Sequence, residues 1–191
     1  MATGDLTDLP TVKAWLGIPG TSTEDDTLLT GLVTAASQFI QTWLNRQLLQ
    51  ATYTEVRDGT GGQRLVFMNY PVTSVASLTV GRLTVNPVSN PASGTYPNAG
   101  YLFTPTEIRL NDLYFERGFG NVQVTYTAGY ATVPPDVQQA ATELVALRYR
   151  ERDRIGHQSK AVGGETVSFT ILDMSPDIKT LLSAYRRVVM W

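Results

Sequence analysis

Residues 133–155 read VPPDVQQAATELVALRYRERDRI, and this stretch sets the expected fold. Pro134 and Pro135 fix φ and bar helix upstream, while a proline in a first helical turn forfeits no hydrogen bond. Asp136 places a carboxylate at the positive end of the helix dipole. Val137, Ala140, Ala141, Leu144 and Leu147 recur at helical spacing, and Val145 and Ala146 widen the apolar face. From Arg148 the character changes to RYRERDR, and Gly156 supplies a C-terminal stop. The spacing predicts a central helix roughly 30 Å long at ~1.5 Å per residue. One end is apolar enough for a core. The other is charged enough for solvent, a neighbouring subunit or an anion.

Two helices are expected upstream. Thr7 or Asp8 caps a short one through Val12, Ala14, Trp15 and Leu16, stopped by Gly17 and Pro19. GTSTEDD then offers a Ser/Thr cap and three carboxylates to a longer one. Its stripe is Leu28, Leu29, Leu32, Val33, Ala36, Phe39, Ile40, Trp43 and Leu44. From Ala51 to about Tyr130 the pattern is one of short strands. TYTEVR and QRLVFM flank the turn DGTGG and read as a hairpin, TSVASLTV alternates, and YLF, EIRL and NVQVTYTA complete about six strands. The span 81–100, rich in Pro, Asn, Ser and Gly, reads as a long loop with one short strand. GHQSKAVGGE is flexible by composition, TVSFTIL is strand-like, and Ser175-Pro176-Asp177 opens a last helix carrying Ile178, Leu181, Leu182, Tyr185, Val188 and Val189 on one face.

The expected class is therefore α+β. A helical core of two N-terminal helices, a long central helix and a C-terminal helix carries an inserted small antiparallel β module. The expected segments are 1–50 for the first helices, 51–130 for the β insertion and 131–156 for the central helix. A loop and extended arm over 157–174 and a closing helix over 175–191 follow.

Composition limits the chemistry. The chain has 191 residues, 42% hydrophobic and 17% charged, with a formal net charge of −2, which is not the basic excess of a dedicated nucleic-acid binder. It has no cysteine, which removes disulfides, thiolate nucleophiles and sulfur-ligated zinc and suits a reducing cytoplasm. MATGDLTDLP is too polar for a signal peptide, and no apolar run approaches the ~20 residues of a membrane span. The single histidine, His157, sits in a Gly/Ser/Lys loop, poor support for a triad. Glu24, Asp25 and Asp26 point in different directions on a helix and read as dipole-facing acids rather than metal ligands. GFG at 118–120 and GTGG at 59–62 lack the strand and helix around a nucleotide loop and read as turns. No catalytic, metal or cofactor site is expected, and the chain reads as no enzyme.

Two segments remain as interaction candidates. In RYRERDR, Glu151 lies three residues from Arg148 and Arg154, and Asp153 three from Arg150, so pairing offsets charge. Arg148, Arg150, Glu151, Arg152, Asp153 and Arg154 form a solvated face, a subunit interface or a phosphate contact. The guanidinium fork onto a neighbour's carboxylate favours the interface over DNA. The second segment, 160–171, is either one more edge strand or an arm that adds itself to another protein's sheet, with Val167, Phe169 and Ile171 on one side.

The phrases NYPVTSVASLTV, NVQVTYTAGY, VPPDVQQAATELVALRYRERDRIG, GGETVSFT and the closing YRRVV, in this order along nearly the whole chain, resemble the head-tail connector (adaptor) family of tailed bacteriophages. The resemblance implies a structural virion protein and no cofactor. It implies a ring of identical subunits, typically twelve, beneath the portal protein. That ring extends the channel through which double-stranded DNA passes and docks a stopper or tail-completion protein. Family members engage the portal through C-terminal extended or helical segments. Here these map onto Gly163, Gly164, Glu165, Thr166, Val167, Ser168, Phe169, Thr170 and Ile171, with Tyr185, Arg186, Arg187 and Trp191. Two other classes compete. A recognition module on the virion surface would use Tyr96, Tyr101, Phe103, Tyr114, Phe115 and Phe119 of the β insertion to bind a glycan or host protein. A DNA-binding accessory protein would use Arg148–Arg154.

Overall fold

The computed structural model describes residues 4–88, 99–152, 159–162, 165–168 and 174–187. They fall into two units, Met1–Arg46 with Val133–Trp191, and Gln47–Thr132.

In the first unit, α1 (Leu9–Leu16) starts where the Asp8 carboxylate accepts the Thr11 N–H at 2.8 Å and ends at Gly17, whose φ of 73° only glycine adopts freely. Helix α2 (Asp26–Leu44) buries Leu29, Val33, Ala36, Ile40 and Leu44, the inner part of the stripe read from sequence, and leaves Leu28 exposed. No Ser or Thr caps it. Asp25 occupies the N-cap without a side-chain hydrogen bond, because its carboxylate is engaged by Tyr149. Helix α3 (Pro135–Glu151) buries Val137, Ala140, Ala141, Leu144 and Val145, and α4 (Pro176–Ser183) buries Ile178 and Leu182 behind a Ser175 cap. Alanines 36, 140 and 141 are fully buried, so the backbones of α2 and α3 pack closely. Polar links secure the unit: the Thr7 and Thr142 hydroxyls lie 2.7 Å apart, and the Leu6 N–H donates to Ser37 Oγ at 2.9 Å.

The second unit has two antiparallel sheets. Strands β1 (Ala51–Gly59), β7 (Gly118–Ala128), β3 (Val72–Val80) and β4 (Leu83–Val85) lie in that order in one. Strands β2 (Arg64–Val66), β6 (Glu107–Asn111) and β5 (Gly100–Phe103) form the other. Their common core is a cluster of buried side chains that includes Leu65, Phe67, Leu78, Ile108, Phe115, Val122, Val124 and Tyr126. The hairpin expected from TYTEVR and QRLVFM does not form. β1 pairs with β7, from Ala51 opposite Ala128 to Gly59 opposite Gly118, and β2 pairs with β6. The GFG expected as a turn opens β7. Gly59 is required at the end of β1, because a Cβ there would fall 1.8 Å from the Glu116 carbonyl oxygen. Strands β8 (Ser159–Val162) and β9 (Glu165–Ser168) make a separate two-stranded hairpin. The strand partner of ETVS therefore lies in the preceding segment expected to be flexible.

These findings correct the expected architecture. The fold is mixed α+β, but it is not a helical core around a long central helix with a small β insertion. The described α3 has 17 residues against 19 in α2, about 25 Å at ~1.5 Å per residue. The strands build two sheets with their own core rather than an appendage. The overestimate has a physical cause. Arginine and glutamate are good helix formers, so RYRERDR prolongs a periodic signal without the packing that would make it a central axis. The closing helix is also shorter than expected, since residues 184–187 follow α4 as non-helical chain.

Leu44→Ala removes a fully buried side chain at the end of the α2 stripe and is expected to cost about 2–5 kcal/mol, measured by denaturant unfolding. Glu107 gives a pH prediction. It is mostly buried, accepts Arg109 Nε at 2.6 Å and pairs with Arg64, and these two arginines sit directly opposite one another on β6 and β2. The Arg109 hydrogen bond, opposed by desolvation and reinforced by Arg64, holds the carboxyl below the usual glutamate range. A depressed folded-state pKa means stability that is present above the ordinary glutamate pKa and lost as pH falls through the folded value. Glu107→Gln should lower stability at pH 7 and flatten its decline between about pH 5 and 3. Parallel stability curves for the two proteins over that range would exclude the mechanism.

Candidate functional site

The charged end of α3 lies against α2. The Arg148 guanidinium sits over the Phe39 ring, 4.9 Å from its centroid, and Arg186, beyond α4, sits over Trp43 at 5.2 Å. Phe39 and Trp43 are four residues apart, hence neighbours on one flank of α2, and both are half-buried. Each cation covers an aromatic face that would otherwise meet water, a contact worth about 0.5–1 kcal/mol at exposed sites. The structure thus brings together one residue from each candidate group, Arg148 from the charged run and Arg186 from the C-terminal segment. Arg152 stacks on Tyr149 at 4.0 Å and donates to its carbonyl at 2.9 Å. The Tyr149 hydroxyl donates to Asp25, which pushes the phenol pKa up and keeps it a neutral donor. Arg150 and Glu151 are exposed. Asp153 and Arg154 lie outside the described residues.

The C-terminal candidates divide. Tyr185 folds back, its hydroxyl 2.8 Å from both Asp136 carboxylate oxygens and its carbonyl accepting Arg46 at 3.4 Å. The Arg187 N–H donates to the Leu44 carbonyl at 3.0 Å, closing the end of α2. Arg186 presents its guanidinium at the surface over Trp43. Glu165, Thr166, Val167 and Ser168 form β9, whereas Gly163, Gly164, Phe169, Thr170, Ile171 and Trp191 lie outside the described residues, as does His157.

Sequence reasoning missed three ionic arrangements, one of them the pairing of Glu107 with Arg64 and Arg109 described above. Lys13, 5% exposed, pairs with Asp26 and donates to the Ser22 carbonyl at 2.6 Å, so α1 and the start of α2 are clamped by an almost buried cation. Glu55 is buried in β1, where Tyr126, the Met68 N–H at 3.1 Å and Arg57 at 3.4 Å donate to it. Burial, then the Glu55 contact, pushes the Tyr126 phenol far up, so it remains a donor. The only signal for Glu55 was its inward position in the alternation Tyr53, Glu55, Arg57. Its acceptors are engaged by the chain's own donors, which makes it a pin between strands rather than a general base. Among the described residues no three His, Cys, Asp or Glu side chains are placed to hold a metal ion. No helix there is long and apolar enough to cross a membrane. Of the aromatics considered for surface recognition, Tyr101 and Phe115 are core, Tyr96 lies outside the described residues, and Phe103, Tyr114 and Phe119 are exposed.

Residues 5–188 match the head completion protein family. The chain belongs to that family. As a head completion protein it is classed as a structural component of a phage-type head-tail neck, and the resemblance to tailed-phage connectors holds at the family level. Three of the solved chains that share the fold come from gene transfer agent particles. One is from the neck of an empty gene transfer agent particle computed with C6 symmetry, with a TM-score of 0.60, 19% identity, and cover of 100% of this chain and 95% of that one. The second is from the neck of the native particle computed with C12 symmetry, with a TM-score of 0.56, 18% identity, and cover of 100% and 98%. The third is from the virion of the native particle, with a TM-score of 0.54, 19% identity, and cover of 98% and 96%. A search of curated sequences gave no match.

Tyr185→Phe removes the hydroxyl donor to Asp136 and is expected to destabilise the protein by about 0.5–1.5 kcal/mol, read by denaturant unfolding. An unchanged midpoint would mean that Tyr185 does not hold the chain end to α3.

Proposed function

We propose that this chain is one subunit of a ring in the virion neck, assembled in the host cytoplasm. The ring sits beneath the portal protein, extends the channel for double-stranded DNA and docks a stopper or tail-completion protein. The observation that carries this reading is the family match over residues 5–188, spanning both units of the fold. The necks of gene transfer agent particles that share the fold were computed with sixfold and twelvefold symmetry, which favours a cyclic assembly. Subunits of a ring meet through different patches of the same chain. The exposed Arg150 and Glu151, with Arg148, Arg152, Asp153 and Arg154, supply one such patch.

Portal capture is assigned to the segment Gly163–Ile171 and to the chain end containing Arg186, Arg187 and Trp191. The hairpin β8–β9 supports this, since an isolated two-stranded hairpin is marginal in water and gains stability by adding to another sheet. The back-folded Tyr185 then serves as the fixed base of the chain end. The net charge of −2 favours free passage of DNA over retention. The test is a pull-down with portal protein. Deletion of Gly163–Ile171 should abolish capture with an unchanged thermal midpoint, and retained capture would remove the arm assignment. Retention on DNA or heparin at physiological salt would instead favour a DNA-binding role.

A further inference from the structure

We infer that Arg64 and Arg109 form a two-guanidinium receptor for a carboxylate of a partner protein, on the solvent-facing side of the three-stranded sheet. The inference goes beyond the ring reading and does not rest on it. Strand register defines the face. Arg64 stands directly opposite Arg109, Val66 opposite Glu107, and Leu102 opposite Arg109 on the other side. Leu65, Tyr101, Ile108 and Leu110 alternate with them and enter the core. Glu107 is 8% exposed although it belongs to the outer row. One of its oxygens accepts Arg109 Nε at 2.6 Å and the other accepts Arg64 Nε. Like charges directly opposite on paired strands repel, and one guanidinium can satisfy a carboxylate bidentately. The second arginine is surplus to that need.

The surplus is held ready for an anion. Glu107 engages each arginine through Nε alone, so it orients both guanidiniums while their Nη groups have no acceptor among the described residues. The two side chains are 62% and 65% exposed, and their ordering is already achieved before a ligand arrives. Two arginines against one carboxylate leave one positive charge uncompensated on this face. Asp112 and Glu116, the next acids along the chain, border the depression beside Leu83 and Leu110 instead. The surroundings favour a protein carboxylate over a nucleic-acid phosphate. Val66, 50% exposed, and the half-buried Leu102 flank the pair with aliphatic surface that a protein partner can cover, excluding water from the ionic contact. A single surplus charge gains little from a polyanion, and the whole chain carries −2. The guanidinium fork matches a carboxylate in its plane. The occupant is therefore an acidic side chain set among apolar ones.

The test is an NMR titration of the isotope-labelled full chain. The probe is the peptide acetyl-Leu-Ser-Glu-Ser-Leu-amide, in which an extended backbone puts both leucines and the carboxylate on one side. It should shift the resonances of Arg64, Leu102 and Arg109 and leave those of the exposed Arg82 unmoved. The same peptide with Gln in place of Glu should bind about 10-fold more weakly, the loss of a charge-assisted bidentate pair. That comparison alters nothing in the protein, so it stands even where an arginine variant folds poorly. Arg64→Lys and Arg109→Lys keep a charge beside Glu107 but lose the fork, and each should weaken the acidic peptide by about the same factor. Equal binding of the two peptides, shifts confined to other surfaces, or no binding at millimolar peptide overturns the inference. So does a short DNA duplex that moves the same resonances at lower concentration than the peptide in physiological salt, since the receptor would then serve phosphate. Every reading is taken on the free chain, so the result is independent of whether the protein enters a ring.

Discussion

The pairing of β1 with β7 is the constraint on which the rest of the structure depends. These are the first and last strands of the second unit, and they run antiparallel from Ala51 opposite Ala128 through Val56 opposite Gln123. Just outside them, Leu49 bridges Tyr130 and the Gln50 N–H donates to the Tyr130 carbonyl at 3.0 Å. The strands by which the chain enters and leaves the unit are thereby brought side by side. A long excursion with joined ends interrupts a helical unit at little topological cost, because closure entropy grows only slowly with loop length. Helices α2 and α3, far apart in sequence, still pack on one another.

That closure also explains where polar groups are spent. Strand β7 is central in its sheet, and its Tyr126 carries the hydroxyl that meets the buried Glu55 of β1 and the Asn69 N–H at 3.1 Å. A buried carboxylate is tolerable only when donors surround it, and here they come from β1 itself, from β7 and from the segment after β2. The network ties β1 and β7 to the segment that follows β2. In the helical unit, Lys13 with Asp26 and Tyr149 with Asp25 play the same part, which is why acids at the start of α2 are occupied by tertiary contacts rather than by capping.

The surfaces left over suit assembly better than chemistry. Arginines 148 and 186 cover aromatic faces of α2, the chain end is pinned by Tyr185, and the β unit exposes Phe119 at the start of β7. None of these arrangements places a nucleophile beside a base or gathers ligands for a metal among the described residues. They are features of defined shape and charge, in keeping with a structural component of the neck.

Much of the local structure was legible in the sequence, because it rests on short-range physics. Asp8 and Gly17 bound α1, the Leu29-to-Leu44 stripe is the buried face of α2, Pro135 opens α3, and Ser175 caps α4. The order of phrases along the chain also carried the family. What the sequence could not decide was which strands meet. Alternation reports that a segment is a strand with one buried face, but β1 finds β7 rather than β2 through a long-range register that only the closed core selects. The extent of α3, the hairpin of β8 with β9, the buried charges of Lys13 and Glu55 and the isolation of Phe119 were likewise decided by tertiary packing. Each depends on which surfaces are covered, and coverage is a property of the folded chain rather than of any window along it.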